Sequence, residues 1–350
     1  MRVIPKLIGA LIILSTIILI ADMTFASAPP PPKLLEGLKE PYPAPSLQND
    51  GQWINSAPLS LESLKGKVVL VDFWAYSCIN CIRTFPFLNK WYQDYKDRGF
   101  VIIGVHAPEF DFEKDLDNVK KAIGKYNIAY PVVLDNQFTI WKEFKNQVWP
   151  AHYLIDKAGN VVYQHFGEGH YEITEHNIVS LLDKGPIVPR KPIVEPNLYL
   201  QRFQTPETYL GYLRANNYGG NNKIAQDGPV KYEAPKRLIK HQWAMQGQWT
   251  VLGDKTVSQT PESALRLYFV ASKVFAVMGS VGHKPIKVKL LLNGKPLTEF
   301  AGKDVLDSAV VVSDHRLYEL VDLKKSDSAE LTLLPEAQGV EFFTFTFGSE

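Results

Sequence analysis

The order of apolar and polar residues predicts two domains of different secondary structure. Residues 68–73 form a short, β-branched apolar run, which is typical of a strand buried on both faces. From residue 81 to about 95 the apolar side chains recur at helical spacing, and a second strand-like run follows at 99–105. The alternation continues with predicted helices at 112–126, 138–145 and 172–183 and predicted strands at 130–134, 153–155 and 161–163. Alternation of this kind, ending in a hairpin, predicts an α/β domain with a mixed central sheet.

The pattern changes after residue 197, where strand-like runs predominate. They lie at 264–270, 274–278, 288–292, 317–321, 331–334 and 340–347. The Asn-Gly pair at 293–294 is a strong hairpin signal. In the last run Phe343, Phe345 and Phe347 alternate with threonines, which predicts that the three phenylalanines share one face. Many short strands in one region predict an all-β, jelly-roll-like sandwich domain.

Two proline clusters mark boundaries along the chain. Residues 29–48 are rich in proline and read as an extended spacer, and a second cluster lies at 186–197. The predicted organisation is therefore a leader at 1–28, a Pro-rich spacer at 29–48, the α/β domain at 49–185, a Pro-rich linker at 186–197 and the all-β domain at 198–350.

The first 28 residues have the character of a secretory signal peptide. Arg2 and Lys6 precede an apolar run over 7–20, and the small residues 26–28 follow. The run is shorter than the roughly 20 residues that span a bilayer, so an uncleaved anchor is the second interpretation. We therefore expect an exported protein of the periplasm or cell envelope, where disulfides form and persist.

Charge and cysteine content restrict the function classes. The chain has 38 Lys+Arg against 37 Asp+Glu, which argues against nucleic acid as a partner. Its two cysteines cannot form a disulfide-rich scaffold, but they can form one redox pair.

Those two cysteines are spaced as Cys-x-x-Cys between the first strand and the first helix. Cys78 is predicted at the helix N-terminus, where the helix dipole lowers a thiol pKa and favours the nucleophilic thiolate. Cys81, one turn later, is then the resolving thiol. Asp72 interrupts the apolar strand, and a buried carboxylate can accept the proton of Cys81. Pro86 is expected to kink the helix.

These residues also admit other interpretations. A structural zinc site needs four Cys or His ligands and the chain has no second cysteine pair, so no metal is predicted. Asp72 is alternatively a satisfied strand-end carboxylate, and Trp74 is as readily core packing as active-site wall. His106 and Glu109 are read as loop residues, with a supporting role beside the pair left open. Glu168, His170 and His176 could be imagined as metal ligands, but scattered polar residues at the surface are the simpler interpretation. Trp243 and Trp249 are expected to pack in a core rather than to form a sugar-binding platform.

The arrangement resembles the thioredoxin superfamily. The matching pieces are the segment 71–75, the Cys78/Cys81 pair, Pro86 and the Trp149-Pro150 dipeptide before a late strand. In that family the proline is cis and packs against the cysteine pair, and the preceding residue pairs its backbone with substrate. The resemblance implies these roles for Pro150 and Trp149. Trp74 and Tyr76, which lie just before the pair, are also expected to contact substrate.

The chain is similar in particular to DipZ-type thioredoxin-like proteins, which carry a β-sandwich behind the thioredoxin domain. Similar segments lie at 104–110, 149–156, 167–171, 205–211 and 343–348. The chain departs from thioredoxin at Ser77 and at Ile79-Asn80, and from cytochrome-maturation relatives at Thr84. The resemblance implies a separate membrane protein as reductant donor.

We therefore expect an exported thiol-disulfide oxidoreductase that acts on protein disulfides, in the reductive direction, and needs no cofactor beyond its cysteine pair. A thiol peroxidase is one alternative, although Val71 and Ala75 stand where peroxiredoxins carry proline and threonine. The other is a binding protein whose all-β domain recognises a glycan or a protein, with an auxiliary redox pair.

Overall fold

A computed structural model describes residues 33–182 and 203–348. The predicted leader at 1–28 and linker at 186–197 lie outside the described residues. None of the helices in the described ranges has the length and apolar character needed to cross a bilayer.

Residues 33–182 form a mixed sheet flanked by helices. The sheet order is β1-β7-β6-β3-β4-β5-β2, with β3, β4 and β5 parallel and the other pairings antiparallel. The strands are β1 (Tyr42–Pro43), β2 (Trp53–Ile54), β3 (Val68–Trp74), β4 (Phe100–His106), β5 (Val132–Leu134), β6 (Ala151–Ile155) and β7 (Asn160–Phe166). The helices are α1 (Ile79–Tyr95), α2 (Leu116–Lys125), α3 (Thr139–Glu143) and α4 (Tyr171–Leu181), with 3₁₀ turns at Glu62–Leu64, Lys96–Arg98 and Asp111–Lys114. The predicted α/β fold with a mixed sheet is confirmed.

Strand β3 lies at the centre of this sheet, and all seven of its residues are buried. Alternate side chains of a strand point to opposite faces. Leu70 and Trp74 pack in one core cluster with α1, whereas Val71 and Phe73 pack in a second cluster on the other face. Asp72 lies two residues from both Leu70 and Trp74, so its side chain is on the same face of the sheet and points into the layer beneath α1.

The end of the predicted spacer contributes to this sheet. Tyr42 and Pro43 pair with Val161 and Asn160 of β7, and Leu47 is buried. An extended, proline-containing segment suits an edge strand, because proline has no backbone N–H to donate to a neighbouring strand. Residues 42–47 therefore belong structurally to the α/β domain.

Residues 203–348 form an all-β domain, as predicted. Its strands are β8 (Thr208–Tyr209), β9 (Pro229–Tyr232), β10 (Trp243–Val251), β11 (Thr256–Ser258), β12 (Ala264–Ser280), β13 (Ile286–Leu292), β14 (Lys295–Pro296), β15 (Ala309–Val312), β16 (Arg316–Pro335) and β17 (Val340–Gly348), with a 3₁₀ turn at Val281–His283. The predicted Asn293-Gly294 hairpin joins β13 to β14.

The strands of this domain form one hydrogen-bonded sheet that folds back on itself. The long strand β12 pairs with β10 near its start and with β17 near its end, and β10, β11 and β17 pair in succession. These pairings close a circuit around an apolar core that contains Trp243 and Trp249, both fully buried. The two faces expected of a sandwich are therefore joined by the continuous strand β12.

The predicted common face of the three phenylalanines in β17 is wrong. Val277 pairs with Thr344 but Met278 pairs with Phe342, so a bulge leaves Phe343 without a partner on β12. An extra residue in one strand reverses the side-chain alternation locally. Phe345 and Phe347 consequently enter the core of the β domain, whereas Phe343 points out of it.

Phe343 packs instead against the α/β domain. Its ring centroid lies 5.1 Å from that of Phe110 and 4.9 Å from that of Phe112. Tyr76, two residues before Cys78, donates a long 3.4 Å hydrogen bond to the carbonyl of His315 in the β domain. The contact between the two domains therefore lies beside the cysteine pair.

Candidate active site

The cysteine pair lies where β3 leads into α1. Cys78 is the N-cap residue of the helix, and its Sγ accepts a 3.2 Å hydrogen bond from the backbone N–H of Cys81. Cys78 is half-buried, and Cys81 is fully buried on the inner face of α1. The two cysteines are not joined by a disulfide in this structure. The outer thiol is therefore placed to meet a substrate, and the inner thiol to meet only Cys78.

The predicted lowering of the Cys78 pKa is wrong. Burial raises the pKa of this thiol, and the carboxylates of Glu109 and Glu207 raise it further. Hydrogen bonding from Cys81 lowers the pKa of Cys78, but it does not offset the burial and the two negative charges. Burial also raises the pKa of Cys81 well above its usual value, with contributions from Cys78 and Asp72.

Asp72 lies in the same buried layer as Cys81. It is fully buried, and its charge raises the pKa of both Cys81 and Tyr130. Across the sheet Asp72 pairs in register with His152 of β6, and Nε2 of His152 lies 3.2 Å from Oδ1 of Asp72. Asp72 is thus near the resolving thiol and in contact with an imidazole, a neighbour that the sequence reasoning did not consider.

The peptide bond between Trp149 and Pro150 is cis. The indole Nε1 of Trp149 donates a 2.9 Å hydrogen bond to the carbonyl of Ala107, and its ring packs 4.3 Å from that of Trp141. Trp149 lines the same cavity as Cys78. Its indole is therefore held on the rim of the space into which the outer thiol points.

Trp74 and Tyr76, which are predicted to contact substrate, both lie buried in packing contacts. Trp74 is fully buried, with its ring 5.3 Å from Phe85 and 4.7 Å from His106. Tyr76 is also buried and stacks on His106. Burial lowers the pKa of His106 to about 3, so this imidazole is neutral between two aromatic rings. Pro86 lies on the exposed face of α1, away from the pair.

The β domain forms one wall of the cavity over Cys78. This cavity has a volume of about 250 Å³ and is lined by Cys78, Ile79, Asn80, Glu109, Gln147, Val148, Trp149, Glu207, Tyr209 and Arg214. Glu109 accepts hydrogen bonds from the hydroxyl of Tyr209 at 2.7 Å and from Nη1 of Arg214 at 2.9 Å. Burial and the charge of Glu109 raise the pKa of Glu207 to about 7.

Comparison with known proteins agrees with this geometry. A model of the Redoxin family matches residues 42–182, and a model described as a thioredoxin-like C-terminal domain matches residues 205–348. The chain is therefore similar to thioredoxin-like proteins in both of its described domains. The two matches together cover both described domains, including the strand and helix that hold the cysteine pair.

Three curated relatives illustrate the similarity. Protein DipZ of Mycobacterium tuberculosis is 36% identical over 312 residues, which cover 87% of this chain and 43% of DipZ. The thiol-disulfide oxidoreductase ResA of Bacillus thuringiensis is 36% identical over 31% of this chain and 61% of its own length. The thiol-disulfide oxidoreductase YkuV of Bacillus subtilis is 27% identical over 38% of this chain and 87% of its own length. The chain thus spans less than half the length of DipZ, and its thioredoxin-like domain is similar to proteins named thiol-disulfide oxidoreductases.

The loop before the pair in this thioredoxin-like domain is organised by a buried carboxylate that sequence reasoning missed. Glu113 accepts hydrogen bonds from the backbone N–H of Ser77 at 3.0 Å and from its hydroxyl at 2.8 Å. It also accepts from the N–H groups of Glu109 at 2.6 Å and Phe110 at 3.1 Å. Burial and Glu109 raise the pKa of Glu113 to about 7. One side chain therefore ties the Cys78 loop to the loop that presents Glu109.

No sequence signal marked the residues that the β domain adds to the site. The segment 205–211 was notable only for its family resemblance, and the packing of two domains brings Glu207 and Tyr209 to the cavity. Among the residues that the structure describes, no group of three His, Cys, Asp or Glu side chains could hold a metal ion. Glu168 pairs with Arg83 at 3.1 Å instead. Trp243 and Trp249 are core residues and offer no platform for a sugar.

Proposed function

We propose that this protein is an exported thiol-disulfide oxidoreductase that reduces disulfides in other proteins. The observation that carries the proposal is the placement of the pair. Cys78 caps α1 and opens onto a cavity, and Cys81 lies buried in the layer that contains Asp72. This separates an attacking thiol from a resolving thiol that has a carboxylate for a neighbour.

The reaction then has two displacements. The Cys78 thiolate attacks one sulfur of the substrate disulfide, forms a mixed disulfide and releases the other substrate sulfur as a thiolate. Cys81 gives its proton to Asp72 and attacks the Cys78 sulfur, so a Cys78–Cys81 disulfide forms and the second substrate thiolate leaves. The substrate gains two electrons, and the protein pair loses two.

The charges around the pair support the reductive direction. Oxidising members of this class stabilise the thiolate of their reduced form, which makes that form favourable. Here burial, Glu109 and Glu207 raise the pKa of Cys78, so the thiolate is not stabilised and the pair gives up electrons more readily. A membrane-embedded electron-transfer protein is the proposed donor that returns the pair to the dithiol state.

The proposed location outside the cytoplasm follows from the leader at 1–28. The β domain is proposed to act on the same substrates rather than on a glycan. Glu207, Tyr209 and Arg214 line the cavity at Cys78, so a polypeptide bound there touches both domains.

The test is catalysed reduction of insulin by the purified protein with dithiothreitol as donor. We expect turnover by the wild type, none by Cys78→Ser, and accumulation of mixed disulfides through Cys78 in Cys81→Ser. Mass spectrometry of the adducts trapped in Cys81→Ser cells identifies the substrates. Absence of turnover with every dithiol donor, or faster turnover with hydrogen peroxide than with protein disulfides, would remove the proposal.

A further inference from the structure

A row of three histidines leads from Asp72 to the protein surface. Asp72 on β3 pairs in register with His152 on β6, and His152 pairs in register with His165 on β7. Side chains at directly paired positions lie on one face of a sheet. The ring of His165 lies 6.3 Å from that of His152 and is stacked 4.8 Å from that of His170, the residue before α4.

Exposure increases along this row. Asp72 and His152 are buried, with 0% and 1% of their surface exposed, and His165 is half-buried. The side chain of His170 is 36% exposed, and its Nδ1 lies 3.5 Å from the carboxylate of Glu36. The row therefore begins at a buried carboxylate and ends in solvent.

Packing alone does not account for the inner half of the row. Within the described residues, neither carboxylate oxygen of Asp72 and neither ring nitrogen of His152 makes a hydrogen bond of good geometry, although the two groups are 3.2 Å apart. Buried polar groups in native proteins are nearly always satisfied, and leaving them unsatisfied costs free energy. Polar groups kept at this cost are expected to have a functional role.

The resolving step requires a route by which the proton of Cys81 leaves the protein interior, and the row of histidines can provide one. Cys81 and Asp72 are both fully buried, so a proton that passes from the thiol to the carboxylate has no direct exit. An imidazole can accept a proton on one nitrogen and release another from its second nitrogen. The χ2 angle of histidine has a broad range, so ring rotations change the separation of nitrogens on neighbouring imidazoles.

We propose that His152, His165 and His170 form a proton path between Asp72 and solvent. When Cys81 attacks the Cys78 sulfur of the mixed disulfide, its proton goes to Asp72, then to Nε2 of His152, and leaves through His165 and His170. The S–S bond formed and the thiolate released are those of the resolving step, so electrons balance without another reactant. The inference rests on the proposed function, because it assigns His152 as a positioning residue for that step.

The test separates the two thiols by stoichiometric reaction of the reduced, full-length protein with dithiobis(nitrobenzoate) in stopped flow. Attack by Cys78 releases the first thionitrobenzoate, and resolution by Cys81 releases the second. In His152→Gln we expect the second phase to slow by about tenfold, as for loss of a proton-transfer group, and the first phase to change less than twofold. The solvent deuterium isotope effect on the second phase should increase. The control variant His176→Gln, at a half-buried position on α4 outside the row, should match the wild type in both phases.

A double variant tests whether His152 acts through Asp72. His152→Gln should slow the second phase no further when Asp72→Asn is already present. If His152→Gln does not fold, the His165→Gln/His170→Gln variant, which keeps the buried pair, should slow the second phase alone. An unchanged second phase, or equal slowing of both phases, would overturn the proton path. If thionitrobenzoate is released in two phases but the protein reduces no protein disulfide, the proposed function would be contradicted while the proton path would still be supported.

Discussion

At the scale of single residues, the attacking thiol illustrates what a local motif can and cannot predict. The strand, the Cys-x-x-Cys spacing and the helical pattern place Cys78 at a helix N-terminus, where it lies in the structure. Its pKa depends on more than that position. Glu207 is more than a hundred residues away in sequence yet lines the same cavity, and no pattern near Cys78 encodes its charge.

Replacing Glu207 with glutamine should therefore increase the reactivity of Cys78 in a pH-dependent way. The pKa of Glu207 is raised to about 7, so its charge is present above that pH and largely absent below it. At pH 8 the variant lacks a charge that opposes the thiolate, and we expect Cys78 to be alkylated by iodoacetamide roughly threefold faster than in the wild type. At pH 6 both proteins are uncharged at this position, and the two rates should agree.

The measurement uses a Cys81→Ser background, so that only one thiol reacts. Glu262→Gln, which removes an exposed carboxylate of the same domain, is the matched control and should alkylate at the wild-type rate at both pH values. Equal acceleration at pH 6 and pH 8 would show that the Glu207 variant acts through a change of structure rather than of charge.

At the scale of elements, the sequence periodicity located the main strands and helices of the first domain because each buries an apolar face. It did not locate the contacts between loops. Glu113 lies in a short 3₁₀ turn and accepts hydrogen bonds both from Phe110 at the start of that turn and from Ser77 in the loop before the cysteine pair. Similarly, the alternation of residues in β17 predicts the wrong face of the strand for Phe343. A bulge changes the register there, and no glycine or proline in the sequence signals it.

The Glu113→Ala variant should lose about 3 kcal/mol of unfolding free energy. It leaves the N–H groups of Ser77 and Phe110 buried without their acceptor, and an unsatisfied buried donor costs about 1–3 kcal/mol. Urea unfolding followed by tryptophan fluorescence measures the loss. Glu143→Ala, which removes an exposed carboxylate of α3, should change the unfolding free energy by less than about 0.5 kcal/mol. A loss no greater than that of this control would mean that Glu113 does not hold the loops.

At the scale of the whole molecule, the sequence predicts two domains and their fold classes but not their contact. Each domain has its own apolar periodicity, which is why the α/β and all-β assignments could be made. The interface is built from few residues that periodicity does not single out. Phe343 points away from the core of its own domain and packs against Phe110 and Phe112. Arg214 pairs with Glu109 beside the cavity over Cys78.

Because the phenylalanine cluster joins the domains next to the cavity, Phe343→Ala should uncouple their unfolding. Removing a buried phenylalanine costs about 3–5 kcal/mol, and here the loss falls on the contact between domains rather than on either core. We expect calorimetry to resolve two transitions for the variant where the wild type shows one. Phe347→Ala removes a buried ring from the core of the β domain, so it should lower that domain's stability more than Phe343→Ala does. A single transition that merely shifts to lower temperature in Phe343→Ala would mean that the remaining contacts between the domains, such as the pair of Arg214 with Glu109, keep them coupled.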